Sequence, residues 1–276
     1  MRIDLHTHST VSDGTEAPEA VMRSAAAAGL DVVALTDHDS AAGLDEAAGV
    51  AAELGLGFVP GMEISCRDSG ISIHLLAYWG DLATGEVADM IAMTREARLD
   101  RAREIVSRVS VDYPLSWDDV LAQCPEAATV GRPHIADAMV ARGHFTTRDD
   151  AFASVLAGNS KYYVPHYAPE VMDAVRAVRS AGGVPVFAHP GADARGRVVP
   201  TTVIDGMADA GLVGLEVDHR DHSPAQRERL GGIAERLGLV RTGASDYHGA
   251  GKRNRLGENL TTENSFAALE QARRAG

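Results

Sequence analysis

Nine residues in this chain combine metal-ligand chemistry with informative spacing. His6 and His8 stand two apart in Asp4-Leu5-His6-Thr7-His8. Residues two apart on a strand point the same way, so both imidazoles can grip one ion. Asp13 follows five residues later, ahead of Gly14 in a turn. Then come Thr36-Asp37-His38-Asp39, Gly61-Met62-Glu63-Ile64-Ser65, His74 in an apolar run, Ala188-His189-Pro190 and Ser245-Asp246-Tyr247-His248. Each has an ordinary explanation when taken alone. A strand-terminal histidine often caps the next helix, an apolar strand often holds a hydrogen-bonded core histidine, and a lone glutamate can cap a helix. Together they are six of the eleven histidines plus three carboxylates. Burying so many ionisable groups in one place without metal ions is costly, and metal binding accounts for all of them.

Such groups need a scaffold that brings distant segments to one end. Short apolar runs predict strands at 2–5, 31–35, 57–60, 71–78, 184–188, 213–217 and 239–243. Runs such as Val32-Val33-Ala34-Leu35 are continuously apolar, as strands covered on both faces are. Alanine-rich helical patterns lie between them at 18–28, 43–54, 171–181, 202–210, 225–237 and 265–274. Strand alternating with helix predicts a parallel α/β sheet. Seven strands predict a closed or nearly closed barrel, with nearly every motif at the C-terminal end of a strand, where barrel enzymes build their sites. The alternation breaks over 85–167, which reads as helical (89–107, 117–123, 134–142 and 148–156). The expected organisation is a barrel of 1–84 and 168–276 carrying a helical cap of 85–167.

Composition narrows the class. The 276 residues are 45% hydrophobic and 24% charged, and no apolar run approaches the ~20 residues of a membrane span. Polar chemistry begins at Asp4, which argues against a signal peptide. Cys66 and Cys124 are too few for a disulfide framework, and the expected location is the cytoplasm. A net charge of −13 argues against gripping duplex DNA or an anionic membrane. A small anionic substrate stays compatible, because bound cations invert the local field.

The segments DLHTHSTVSDG, ALTDHD, GMEIS, HLLAY, FAHPG and SDYH, in that order, resemble the motifs of the PHP (polymerase and histidinol phosphatase) superfamily. The likeness runs from residue 2 to residue 248 outside the insertion. It implies a distorted seven-stranded (βα)7 TIM-like barrel and a hydrolase with three divalent metal ions, manganese by family habit, with zinc or iron as alternatives. Carried over by position, His6, His8 and Asp246 would bind the first ion and Glu63 would bridge to a second held by His74 and His189. Asp13, His38 and His248 would hold the third, and Asp37 would orient a ligand or a water. Three such ions against three carboxylates leave about +3 to attract a phosphate, and metal-activated water would attack it.

Within the insertion, Val130-Gly131-Arg132-Pro133-His134 and Gly158-Asn159-Ser160-Lys161-Tyr162-Tyr163 are similar to the stand-alone branch of that superfamily. This implies removal of the 3′-phosphate from nucleoside 3′,5′-bisphosphates, leaving a 5′-monophosphate such as AMP, with 5′–3′ trimming of short RNA in some members. Arg132 offers a planar fork for phosphate, Lys161 a second charge, and Tyr162 or Tyr163 a face for a base. Glu216-Val217-Asp218-His219 and His222 end the sixth strand and are candidates for substrate contact. The general acid is to be sought among His134, His222, His219 and Asp37. The rival activities are a histidinol phosphatase, whose cationic substrate would want an acidic patch, and an amidohydrolase. A rival of another kind is a non-catalytic accessory module, against which the complete ligand set counts.

Overall fold

The computed structural model describes residues 1–124, 130–165 and 167–275. Seven strands, β1 (Ile3–Asp4), β2 (Val32–Leu35), β3 (Gly57–Asp68), β4 (Ile71–Tyr78), β5 (Val184–Phe187), β6 (Gly214–Asp218) and β7 (Val240–Gly243), lie side by side in chain order. A parallel bridge between Thr7 and Tyr247, with the His8 N–H donating to Tyr247 O at 2.8 Å, brings the last strand's exit back to the first. The result is the expected nearly closed seven-stranded α/β barrel.

The helices α1 (Pro18–Ala27), α2 (Leu44–Leu54), α7 (Val171–Ser180), α8 (Thr201–Asp209), α9 (Pro224–Leu237) and α10 (Glu263–Ala275) fall where the apolar periodicity placed them. Their ends carry the expected signals. In α9, Ser223 and Gln226 form a capping box, Pro224 opens the first turn, and Gly238 closes the helix at φ 66°.

The all-parallel expectation fails at β4, which pairs antiparallel with both β3 and β5. The cause is local. Ser69 and Gly70 take φ of 46° and 74°, the left-handed pair of a two-residue hairpin, so no crossover helix separates β3 from β4. Strand β3 therefore continues to Asp68, and Glu63 sits mid-strand instead of at the strand end. Glu63 pairs with Leu76 and Ser65 with His74, so Glu63 and His74 are diagonal neighbours on one face.

Alternation along β4 separates the two packing layers. Leu75 and Ala77 join side chains of α7, α8 and α9 outside the barrel. Leu76 and Tyr78 pack with Ile3, Leu5, Ala34, Val186 and Ala188 within it. His74 and Glu63 belong to this inner face, above an apolar plug.

Helices α3 (Gly85–Val109), α4 (Trp117–Leu121), α5 (Arg132–Ala141) and α6 (Arg148–Ala153) make up the described part of the insertion. Ile105, Val109, Val120, Ile135, Met139, Val155 and Tyr162 share a buried cluster separate from those of the barrel. Two arginines tie the insertion down. Arg98 of α3 donates to Asp39 and Ser65, and Arg148 of α6 holds Asp137 of α5 and reaches Asp13 O.

Where β4 exits toward the insertion, Gly80 adopts φ 70°, and an added Cβ would lie 2.7 Å from Ala181 O and Gly183 N. Gly80→Ala is expected to lower unfolding free energy by about 2 kcal/mol or more, read from the urea midpoint. An unchanged midpoint would show that this turn relaxes freely.

Candidate metal centre

The loops after the strands are shaped so that imidazole and carboxylate groups meet. Asp37 accepts from Ser9 N at 2.8 Å, Ser9 Oγ at 2.6 Å and Ser12 Oγ at 2.6 Å, folding the 8–14 loop back on itself. The turn is tight: a Cβ on Gly14 would lie 2.6 Å from His8 O. Asp39, His189 and Asp246, each at a strand exit, have φ of 50°, 30° and 55°. Non-glycine residues hold this region only when surrounding contacts impose it, and such strain gathers at functional sites. At His189 that contact is its own N–H, which donates to Glu216 Oε2 at 2.7 Å.

Hydrogen bonds on the far ring nitrogens fix several tautomers. His248 Nδ1 faces Asp246 O at 2.9 Å and must donate to it, leaving Nε2 bare. That Nε2 is buried 3.1 Å from Asp13 Oδ1 without a hydrogen bond. The Ser12 hydroxyl donates to Asp37, so His8 Nδ1 donates to Ser12 Oγ. His6 Nδ1 donates to Glu216 Oε1 at 3.1 Å. The His6 and His8 Nε2 atoms then face each other at 3.0 Å, an arrangement only a cation or a proton between them stabilises.

Glu63 lies at the centre. Its Oε2 is 3.2 Å from His6 Nε2, 3.0 Å from His8 Nε2 and 3.2 Å from His38 Nδ1. Its Oε1 is 2.8 Å from His74 Nδ1 and 3.1 Å from His189 Nε2. Ligand atoms converge in four groups: His8, Asp13, His38 and His248; His6, Glu63 and His189; His6, His8 and Asp246; His38, Glu63 and His74. All nine residues singled out from sequence are thus brought together. His8 joins the Asp13 group as well as its own. Bare buried nitrogens, a central carboxylate and mixed nitrogen and oxygen donors fit divalent metal ions.

The electrostatics are those of an anion-cation lattice. Burial opposes ionisation of Glu63, but His38, His74 and His6 outweigh it and hold the carboxyl well below its usual range. Burial likewise opposes the Asp246 charge, which Lys252, Arg195 and His248 restore. Burial draws His189 down to about 3, with Arg195 adding to the effect, so its imidazole is neutral and able to ligate. His6 goes the other way. Burial disfavours its charge, but Glu63, Glu216 and Asp246 raise its proton affinity well above normal.

Other expected residues fare unevenly. Arg132 and His134 line a cavity of about 2120 Å³ between barrel and insertion, onto which Asp13, His38, His74 and His189 also open. His134 Nδ1 accepts from Gly131 N–H at 3.2 Å, and burial lowers its pKa, which favours the neutral ring with its proton on Nε2. Asp37 is a buried loop clamp that does not line the cavity and reaches His8 only through Ser12 Oγ.

Four expectations are corrected. His222 spends both nitrogens on backbone, Nδ1 on Val217 O at 2.9 Å and Nε2 on Gly191 N–H at 3.0 Å, leaving none for acid catalysis or substrate. His219 is fully buried behind Asp246, its Nε2 3.6 Å from Oδ2, and does not line the cavity. Lys161 points to solvent and pairs with Asp112 at 2.7 Å. Tyr162 is buried in the insertion's own core with its hydroxyl on the same Asp112, while its neighbour Tyr163 lines the cavity.

Several contributors escaped sequence reasoning. Glu216 was noted as a possible substrate contact, whereas it orients His6 and the His189 backbone. Its place at a strand end, level with the other motifs, was the available signal. Arg195 and Lys252 meet Asp246 Oδ2 at 2.7 and 3.0 Å, and Arg101 joins Arg132 on the cavity wall; no spacing marks these residues.

The profile of the PHP domain matches residues 4–145. A 3′,5′-nucleoside bisphosphate phosphatase of Chromobacterium violaceum is 34% identical over 92% of this chain and 89% of its own. A 5′–3′ exoribonuclease of Haemophilus influenzae is 30% identical over 94% of each chain. A solved Bifidobacterium adolescentis structure described as a metal-dependent phosphoesterase superposes with a TM-score of 0.95, at 46% identity over 98% of this chain and 96% of that one. Barrel, ligand cluster and relatives define a metal-dependent phosphoesterase, an enzyme that hydrolyses phosphoric esters. The chain belongs to the PHP domain family.

Two measurements probe the cluster. Glu216→Gln should weaken metal binding by about 10- to 100-fold in calorimetry, since the amide has one acceptor oxygen for the two donors that Glu216 holds, His6 Nδ1–H and the His189 N–H, and no charge to offset the site. The raised proton affinity of His6 means a metal must displace a proton there. Apparent affinity should therefore fall as pH drops, with proton release visible as a buffer-dependent binding enthalpy. A pH-independent affinity would remove His6 from the ligand set.

Proposed function

We propose that this enzyme hydrolyses the 3′-phosphate of nucleoside 3′,5′-bisphosphates, leaving nucleoside 5′-monophosphate, and trims short RNA from the 5′ end as a related activity. The observation that carries this reading is one cavity with ligand-competent imidazoles and carboxylates on one wall and arginines of the insertion on the other. The named activities of the Chromobacterium and Haemophilus relatives support it.

In this reading His6, His8, Asp13, His38, Glu63, His74, His189, Asp246 and His248 hold three divalent ions, manganese first among the candidates. Such ions supply a nucleophilic water at neutral pH and screen phosphoryl charge. The chain's own contributions are orientation and recognition. Glu216 and Asp246 O set the His6 and His248 tautomers, Asp37 fixes the loop bearing Asp13, and His134 presents a neutral N–H donor to the substrate. Water oxygen joins phosphorus, the O3′–P bond breaks, and the proton given up by the attacking water is the one that ends on O3′, so that ester and water become alcohol and phosphate. The 85–167 segment acts as the substrate-facing cap on a 1–84 and 168–276 barrel.

A histidinol phosphate substrate would place its ammonium against these arginines, which disfavours that rival. A peptide-like amide would make no use of them. No helix among the described residues is long and apolar enough to cross a membrane. Two free cysteines and the acidic surface support a cytoplasmic protein acting on small phosphorylated molecules and not on duplex DNA or lipid.

The test is phosphate release from adenosine 3′,5′-bisphosphate with manganese, with AMP as the other product and loss of activity on chelation. Release of the 5′-phosphate, or hydrolysis of histidinol phosphate alone, would overturn the assignment. His134→Ala should lower kcat/KM by about 10-fold or more, the cost of one donor to charged phosphate. Lys161→Met should change it less than about 2-fold, as an exposed surface pair allows.

A further inference from the structure

The two oxygens of Asp246 meet different surroundings. Oδ1 faces the cluster, 3.5 Å from His6 Nε2, 3.5 Å from His8 Nε2 and 3.4 Å from His248 Nδ1. Oδ2 is capped by two cations, Arg195 Nη2 at 2.7 Å and Lys252 Nζ at 3.0 Å. Asp246 is buried and does not line the cavity, whereas both cations do. Neither cation sits on a barrel strand. Arg195 ends a single 3₁₀ turn after β5, Asp193–Arg195, and Lys252 follows another after β7, Gly249–Gly251.

Their grip on Oδ2 is braced from behind. Arg195 Nε donates to Asp221 Oδ2 at 2.6 Å, so one guanidinium spans two carboxylates. The Asp221 N–H donates in turn to His219 Nδ1 at 3.1 Å, which puts the His219 proton on Nε2 and pins the ring. That Nε2 is buried, stands 3.6 Å from Asp246 Oδ2 and has no hydrogen-bond partner. A buried donor left unpaired beside an acceptor is unfavourable, and a saturated acceptor accounts for it. Each oxygen of a carboxylate has about two acceptor sites, and Arg195 and Lys252 take both on Oδ2.

A saturated Oδ2 limits what Asp246 offers the cluster. Oδ1 stays open to an ion beside His6 and His8, and the second oxygen does not. Chelation by both oxygens of one carboxylate suits Ca²⁺, which gathers many oxygens at long distances in flexible geometry. Transition-metal ions with imidazole ligands do not need it.

We propose that Arg195 and Lys252 are positioning residues that set ion selectivity, confining Asp246 to one-oxygen ligation and so disfavouring Ca²⁺ against Mn²⁺, a role that rests on the ion-binding function given to Asp246 above. They do so without touching the ion.

The experiment titrates metal-stripped protein by calorimetry with Mn²⁺ and, separately, with Ca²⁺, and reads the ratio of the two affinities. Both ions carry the same charge, so loss of a neighbouring cation strengthens their attraction alike and leaves the ratio unmoved. A change in the number of ligating oxygens moves it. Arg195→Met and Lys252→Met should each lower the preference for Mn²⁺, and the two together by about 10-fold or more, the scale on which partners of metal ligands act. Asp246→Asn has a single ligating oxygen, so the double substitution made in that background should shift the ratio less than about 2-fold. If the double variant does not fold, the two single variants carry the same test. A preference unchanged in these variants, or one that falls equally in the Asp246→Asn background, would overturn the proposal. Wild-type protein that takes up neither ion would overturn the metal centre itself, and the selectivity with it.

Discussion

Two oxygens of one buried carboxylate organise this molecule. Glu63 has five imidazole nitrogens within 3.2 Å, drawn from the loop after β1, the loop after β2, strand β4 and the loop after β5. Neither it nor its neighbours could be buried alone, because an unpaired charge in the interior costs several kcal/mol. Each strand of the barrel must therefore stop or turn at a fixed height to deliver its group. The left-handed residues at the strand exits, the hairpin that lengthens β3 and the Asp37 clamp on the 8–14 loop all serve that geometry. Outside them runs a shell of carboxylates and carbonyls, Glu216 and Asp246 O above all, which decides which nitrogen of each ring is bare.

An acidic protein that handles phosphates must separate its charges by location. Here Glu63 and Asp246 face the histidines of the cluster, Asp4 and Asp37 are buried against backbone and serine donors, and pairs such as Lys161 with Asp112 sit at the surface. Arg101 and Arg132, held by backbone carbonyls and by no carboxylate among the described residues, stand on the cavity wall of the insertion. The insertion has its own apolar core and is tied to the barrel through Arg98 and Arg148, the latter reaching the backbone of Asp13. The element on the far wall of the cavity is thus coupled to the loop that carries the Asp13 carboxylate.

Sequence gave access to chemistry that is written locally. His6 and His8 alternate just beyond β1, on either side of the bridging Thr7, and the other members lie on or close to apolar runs, so strand count, helix positions and all nine members of the cluster could be read from spacing and order. Residue types were sufficient there because period-2 alternation and strand exits constrain direction strongly. The single topological error, the orientation of β4, came from a Ser-Gly turn too slight to outweigh the prevailing alternation of strand and helix.

What sequence could not supply was which of several chemically equivalent side chains faces inward. His222, Lys161 and Tyr162 have the right chemistry and the wrong direction: the first is consumed by backbone, the second faces water, the third fills a core. Arg101 has the right direction and no motif, and of the two tyrosines that the sequence offered it is Tyr163 that lines the cavity. Composition and periodicity determined that this protein is an α/β barrel with a helical insertion and a cluster of histidines and carboxylates able to hold metal. Tertiary structure decided tautomers, charge pairing and the cavity wall, because those depend on contacts between segments far apart in the chain, which no local pattern encodes.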